Sequence, residues 1–269
     1  MAAQHLRPPF RFARLIYRLY RAFVRIATIP LRPLPEGAAK ARIRNLVLRF
    51  QNSLPTELVV NKGDTVVQVG TPHPRTMRRF RRAIGAHGRL VIVEAMPENQ
   101  ERLEQAMSTD GFTNIVIIKG AACNDNRMGT LAISPVQGDH RLRLEGIEMD
   151  NDRRPENARM ESIPVKFLRL DEELPKHGVE QIDYLSVTVN GAEVEVLRGA
   201  EKLLRAGRRH ARIYAKGHAR DAHGKPIHIQ SQTFMKDLGY ETIITRGEPS
   251  GILDEDWLWR AGDLYAWKA

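Results

Sequence analysis

The chain has 269 residues, with 42 Lys and Arg against 32 Asp and Glu, a formal net charge of +10. That length suits one large core or one domain with an appendage, and the charge sits at one end: residues 1–50 hold 11 bases and a single acid, leaving 31 of each in residues 51–269. A neutral body excludes a broadly basic nucleic-acid-binding face, so no nucleic-acid partner is expected, and no apolar run approaches the ~20 residues of a bilayer span.

Residues 1–50 read as a basic amphipathic helical extension and linker. From Arg7 to Arg25 six arginines step by four, three, four, three and four residues, which places them on one helical stripe roughly 80° wide. Phe12, Leu15, Ile16, Leu19, Tyr20, Phe23 and Ile26 cover much of the remaining surface. Two readings stay open for residues 7–26. One is a helix lying on an anionic membrane surface, with guanidinium groups at phosphates and rings at the acyl edge. The other is a helix packed on its own domain with a solvated basic face. The arginines interrupt every candidate secretory core, and scarce Ser argues against a transit peptide. Residues 31–35 read as a stiff Pro-containing linker into a second helix near 38–54.

Residues 51–269 read as an alternating α/β domain. Strands are expected at 64–69, 89–93 and 114–118, with helices at 75–86 and 97–107 between them. A strand at 182–189 leads into a helix at 191–206. A strand near 212–215, a helix near 229–238 and strands near 240–245 and 263–267 complete the chain. Strand and helix in alternation predict a Rossmann-like, doubly wound, mostly parallel sheet with helices on both faces. Residues 136–161 are too polar for core, with Asp139, Arg141, Arg143, Asp150 and Asp152 among them. They form either a solvated excursion or a lid facing a substrate.

In such a sheet ligands bind outside the carboxyl ends of the strands, where strand order reverses. Gln68, Gly70 and Thr71 end the first strand, and Gly70 allows close backbone approach. Glu94, followed by Ala95, ends the second strand, where a carboxylate can accept both hydroxyls of a ribose. The third strand leads into Gly120-Ala121-Ala122-Cys123-Asn124-Asp125, which is either a plain Asn-Asp turn or a binding corner. Cys123, the only cysteine, cannot make an internal disulfide, so a reducing cytoplasmic setting is expected. It reads as a packed thiol rather than a nucleophile. His218, His223 and His228 match no standard zinc spacing, so no metal is expected. Trp257, Trp259 and Trp267 read as core and edge packing.

The stretch Asp183-Tyr184-Leu185-Ser186-Val187-Thr188-Val189-Asn190-Gly191-Ala192-Glu193, continuing through Val196-Leu197-Arg198-Gly199-Ala200, resembles the signature of FkbM-type methyltransferases, D-x-L-K-I-D-V-E-G-A-E-x-x-V-L-x-G-A. Three charged positions of that signature read Ser186, Thr188 and Asn190 here. Glu94-Ala95-Met96-Pro97-Glu98-Asn99 is similar to the family's E-P-x-P-x-N, and Phe167–Leu174 to its L-D-E-L segment. The first motif, D-V-G-A-N, reads Gln68-Val69-Gly70-Thr71-Pro72.

The resemblance implies a methyltransferase using S-adenosyl-L-methionine. Its acceptor would be a sugar, glycolipid or similar small-molecule hydroxyl, and the N-terminal helix, in its membrane reading, would bring the enzyme to one near the inner face of the membrane. Gln68, Gly70, Thr71, Glu94, Ala95, Ala122 and Asn124 would hold the cofactor. Asn190, Glu193 and His73 are the candidates for the chemistry, since Thr188, Asn190 and Lys216 stand where the family has acids. Loss of those acids leaves a second reading open, a catalytically inactive Rossmann-like module binding a membrane or partner surface.

Overall fold

The computed structural model describes residues 42–43, 47, 56, 59–70, 73–135, 140–149, 160–206, 210–214, 219–246 and 261–268. The expected helix at 7–26, the linker at 31–35 and most of the helix at 38–54 lie outside the described residues, as do Thr71, Pro72, Lys216, His218, Trp257 and Trp259.

β1 (Thr65–Val69) pairs in parallel with β2 (Arg89–Glu94) on one side and β9 (Tyr184–Val187) on the other. β3 (Ile115–Lys119) extends the sheet beyond β2, and β10 (His210–Tyr214) beyond β9, both in parallel. The last strand, β13 (Ala261–Trp267), runs antiparallel between β10 and β12 (Glu241–Arg246). The order is therefore β12-β13-β10-β9-β1-β2-β3, and the chain reverses its direction of travel between β1 and β9.

Strand alternation sends side chains to two separate cores. Val66 of β1, with Leu90, Ile92 and Tyr184, packs under α1 (Pro74–Ile84) and α2 (Pro97–Asp110) through Met77, Phe80, Ile84 and Leu103. Val67 and Val69 face the opposite layer. There they meet α3 (Leu170–Lys176), α4 (Glu193–Gly199), α5 (Glu201–Ala206) and α6 (Ile227–Asp237). The expected α/β architecture with helices on both faces is present.

Two departures from the sequence reading stand out. The single helix expected at 191–206 breaks at Ala200 into α4 and α5. Gly199 packs directly on the backbone of Cys123, and a Cβ there would overlap the Cys123 carbonyl oxygen. The new helix start is capped from outside: the Asp171 carboxylate accepts the amides of Lys202 at 3.0 Å and Leu203 at 3.0 Å. A carboxylate at a helix N-terminus satisfies otherwise orphaned donors and suits the local dipole.

The second departure is the region after β3. Gly120 carries the chain into a small sheet of β4 (Ala121–Ala122), β8 (Glu161–Leu168), β5 (Met128–Ile133) and β6 (Arg141–Leu142). β7 (Ile147–Met149) pairs with β11 (Ala219–Asp221). The region read as a polar excursion thus holds two short strands, and its end belongs to β8.

Gly199→Ala tests the packing of α4 on Cys123. In an ordinary helix that change stabilises by about 0.5–1 kcal/mol. Here overlap with the Cys123 carbonyl should dominate, destabilising the chain by about 1–3 kcal/mol. Chemical denaturation checks the sign, and a gain in stability would contradict the packing.

Candidate functional site

The carboxyl ends of β1, β2 and β9 meet the small sheet around a cavity of about 170 Å3. Val69 and Gly70 enter it from β1, Val93 to Met96 from β2, and Gly120 to Ala122 from the β3–β4 turn. Thr188, Val189, Asn190 and Ala192 close it beyond β9, while Leu131, His140, Arg141 and Leu142 cover it from the small sheet. The location is the reversal point where open α/β sheets bind ligands.

Gly70 makes this convergence possible. Its φ of 68° lies in the left-handed region, and a Cβ would overlap the Thr188 carbonyl oxygen. The exits of β1 and β9 are thus held in contact, with the Thr188 amide donating to Val69 O at 2.8 Å. Gln68 does not line the cavity. Its buried side-chain amide instead donates to Gly70 O at 2.6 Å and to Val69 O at 3.1 Å. The sequence reading expected Gln68 as a direct cofactor contact; a donor-bearing amide can hold these carbonyls, and a carboxylate would repel them.

Glu94 lies at the cavity wall and is buried. Its Oε1 accepts the Met96 amide at 2.9 Å, which fixes the carboxylate at the start of α2. The Gln100 side chain donates to Glu94 O at 2.8 Å, and the Gly120 amide to the same oxygen at 3.0 Å. Ala95 and Ala122 also face the cavity, and Met96, Leu131 and Leu142 make its walls apolar. An apolar wall thus stands beside one oriented carboxylate.

Other expected site residues stand elsewhere. Asn124 is outside the lining; its Oδ1 faces the Cys123 thiol at 3.6 Å, and its carbonyl accepts the Arg169 guanidinium at 2.9 Å. His73 is exposed, at the residue before α1, and does not line the cavity. Glu193 is buried at the first residue of α4, one position past the lining residue Ala192. Thr71 lies outside the described residues.

Asn190 does line the cavity, but as a strut. Its Nδ2 donates to His140 O at 2.8 Å, joining the β9 exit to the covering segment. His140 in turn accepts the Ser134 amide on Nδ1 at 3.1 Å. Sequence spacing did not mark His140, Leu131 or Leu142. Arg141 stood out only as one charge in a polar stretch. No periodicity in strands of two residues could have revealed that residues 140–142 reach back over the site.

Cys123 is buried, and burial pushes its thiol up to about 11. The thiolate is therefore scarce near neutrality. A group raised this way adds stability below the ordinary thiol range, and that contribution is lost as pH climbs toward about 11. In the folded chain at pH ~8 the thiol should resist iodoacetamide, and denaturation should expose it. Labelling followed by mass spectrometry checks this; native modification as fast as free cysteine would contradict the packing.

A model of the methyltransferase FkbM domain matches residues 61–242. No curated protein matches the chain at a significant level. Among solved structures, methyltransferase FkbM from Methylobacillus flagellatus is similar at 12% identity and a TM-score of 0.49, covering 76% of this chain and 44% of its own. This chain thus spans less than half the length of that relative. Aeropyrum pernix fibrillarin with bound S-adenosyl-L-methionine shares 19% identity over 84% of this chain and 74% of that one, with a TM-score of 0.46. A SAM-dependent methyltransferase from Aquifex aeolicus shares 11% over 84% and 97%, with a TM-score of 0.41. Likenesses this distant carry no argument about activity.

Proposed function

We propose that this chain, which belongs to the methyltransferase FkbM family, binds S-adenosyl-L-methionine in the cavity at the β1–β9 reversal and transfers its methyl group to a small-molecule acceptor. The observation that carries this reading is the buried Glu94 carboxylate, fixed by the Met96 amide at the edge of an apolar slot. Ala95, Met96 and Ala122 would enclose the adenine, and Glu94 would accept the ribose hydroxyls. Gly70, held by Gln68, would bring backbone close to the remainder of the cofactor. The cofactor supplies an electrophilic methyl group. The residues of this chain supply alignment and exclusion of water, which account for much of the advantage of holding reactants together.

The acceptor we propose is a sugar, glycolipid or similar hydroxyl, presented at the inner face of a membrane. The support is the arginine stripe and apolar cover of residues 7–26, whose chemistry suits an anionic lipid surface. We divide the chain accordingly into an extension, 1–50, and a methyltransferase domain, 51–269. No helix among the described residues is long and apolar enough to cross a membrane.

A second reading has its own observation. Gln68 spends its side chain on Gly70 and Val69, and Thr188 and Asn190 leave the floor without a carboxylate. That floor suits an inactive module that binds a membrane or partner surface without transfer.

Calorimetric titration with S-adenosyl-L-methionine tests the first reading. Glu94→Ala should weaken binding at least about tenfold, as loss of hydrogen bonds to a charged group does. Absence of binding by the intact chain would refute the reading, and unchanged affinity in the variant would refute the ribose assignment. For the membrane, the full chain should float with anionic liposomes and a chain lacking residues 1–35 should not; flotation of both would place the anchor elsewhere.

A further inference from the structure

We infer that α1 is a second membrane-contacting surface, an arginine face of the folded domain that rests on anionic lipid headgroups; this rests on the membrane reading of residues 7–26 above. No Asp or Glu occurs between Asp64 and Glu94, a stretch that holds six arginines. Five of them fall in α1, which contains no acid. The helix buries Met77, Phe80 and Ile84 against the sheet. Arg75, Arg78, Arg79 and Arg82 follow one another at helical spacing and share a single stripe opposite that buried face. Arg75 and Arg82, at its two ends, are exposed.

The stripe is only partly neutralised. Arg78 is paired with Asp110 of α2 at 2.5 Å. Arg75 and Arg82 meet no carboxylate among the described residues; Arg82 instead donates through Nε to Arg78 O at 3.3 Å. Lys62, also exposed, lies beside Gly85 and adds a cation at the end of α1. On the neighbouring α2 the exposed acids Glu98 and Glu101 limit the basic surface to a strip one helix wide.

Arg75 and Arg82 stand two turns apart, about 10 Å along the helix, so both can meet one flat layer of phosphates. The large exposed apolar side chains among the described residues are Met128, Ile229 and Ile243, none of them on α1. Contact through α1 is therefore electrostatic, with nothing to enter the acyl region. Residues 7–26 bring the rings and aliphatics that α1 lacks. Once they are at the lipid, headgroups are held at high effective concentration near α1, and a few cations bias the orientation. The balanced charge of residues 51–269 offers a nucleic acid no wider basic surface. Alone α1 is too weak to hold the chain; with the extension it sets which side of the domain faces the membrane. It begins four residues past Gly70, so the face on the headgroups adjoins the cavity.

The test is co-sedimentation of the full chain with phosphatidylcholine vesicles, with and without phosphatidylserine, at low and high salt. Arg75→Gln combined with Arg82→Gln removes two charges from the stripe. Arg102→Gln combined with Lys225→Gln removes the same charge from exposed sites on α2 and on the turn after β11. On vesicles with phosphatidylserine the stripe pair should partition about tenfold or more below wild type, at about fivefold for each arginine. The control pair should stay close to wild type. Arg75→Lys with Arg82→Lys, which keeps the charge, should retain most of the binding. The gap should close in high salt and on vesicles lacking phosphatidylserine. Equal binding by wild type and the stripe pair, an equal loss in the control pair, or a gap that survives high salt would overturn the inference. So would a short RNA duplex that binds more tightly than the vesicles and is lost with the stripe pair. Failure of wild type to bind anionic vesicles at all would instead refute the membrane reading itself.

Discussion

The site depends on one close approach, that of Gly70 to the Thr188 carbonyl. Parallel strands that leave a sheet on either side of a reversal normally diverge, because their connections travel in opposite directions. Here the two exits are held together. Gly70 adopts a φ of 68° and presents no Cβ to the Thr188 oxygen, while the Thr188 amide bonds to Val69 and the Gln68 side chain bonds to Gly70. The floor of the cavity is set by this closure, and every other wall is positioned against it. The β2 exit brings Glu94 to one side, and Asn190 brings His140 and Arg141 to the other.

The motif residues divide into those that build the frame and those that face the cavity. Gly199 lets α4 cross the Cys123 carbonyl, and Asp171 caps the helix that begins after the break. Both belong to segments where this chain keeps the FkbM pattern, and their work is packing. Gln68, Thr188 and Asn190 belong to segments where it departs, and all three sit at the strand exits around the floor. The departures therefore concentrate at the strand exits beside the cavity. Two of them bond to backbone oxygens of this chain, Gln68 to Gly70 and Asn190 to His140.

The central sheet was legible in the sequence because its strands are buried on both faces. Val66-Val67-Gln68-Val69 and Leu90-Val91-Ile92-Val93 read as apolar β runs, and the Gly and Pro residues after them mark the turns. Glu94 was legible through its place at a strand end. The break between α4 and α5 was not, since Val194, Leu197, Leu203 and Leu204 keep a helical period across it, and the Gly199 contact beside it is with Cys123, far away in sequence. The small sheet was also hidden: β4 and β6 have two residues each, too few for any period. With it went His140, whose approach to the site depends on a hydrogen bond to Asn190 across fifty residues of chain.

The central claim is that the slot between Glu94 and Ala122 is where the cofactor rests. An experimental structure of the chain with S-adenosylhomocysteine bound tests it most directly. The account predicts the ribose hydroxyls on the Glu94 carboxylate and the adenine ring stacked between Met96 and the Ala121–Ala122 turn. A ligand bound elsewhere on the chain, or a ribose out of reach of Glu94, would contradict it.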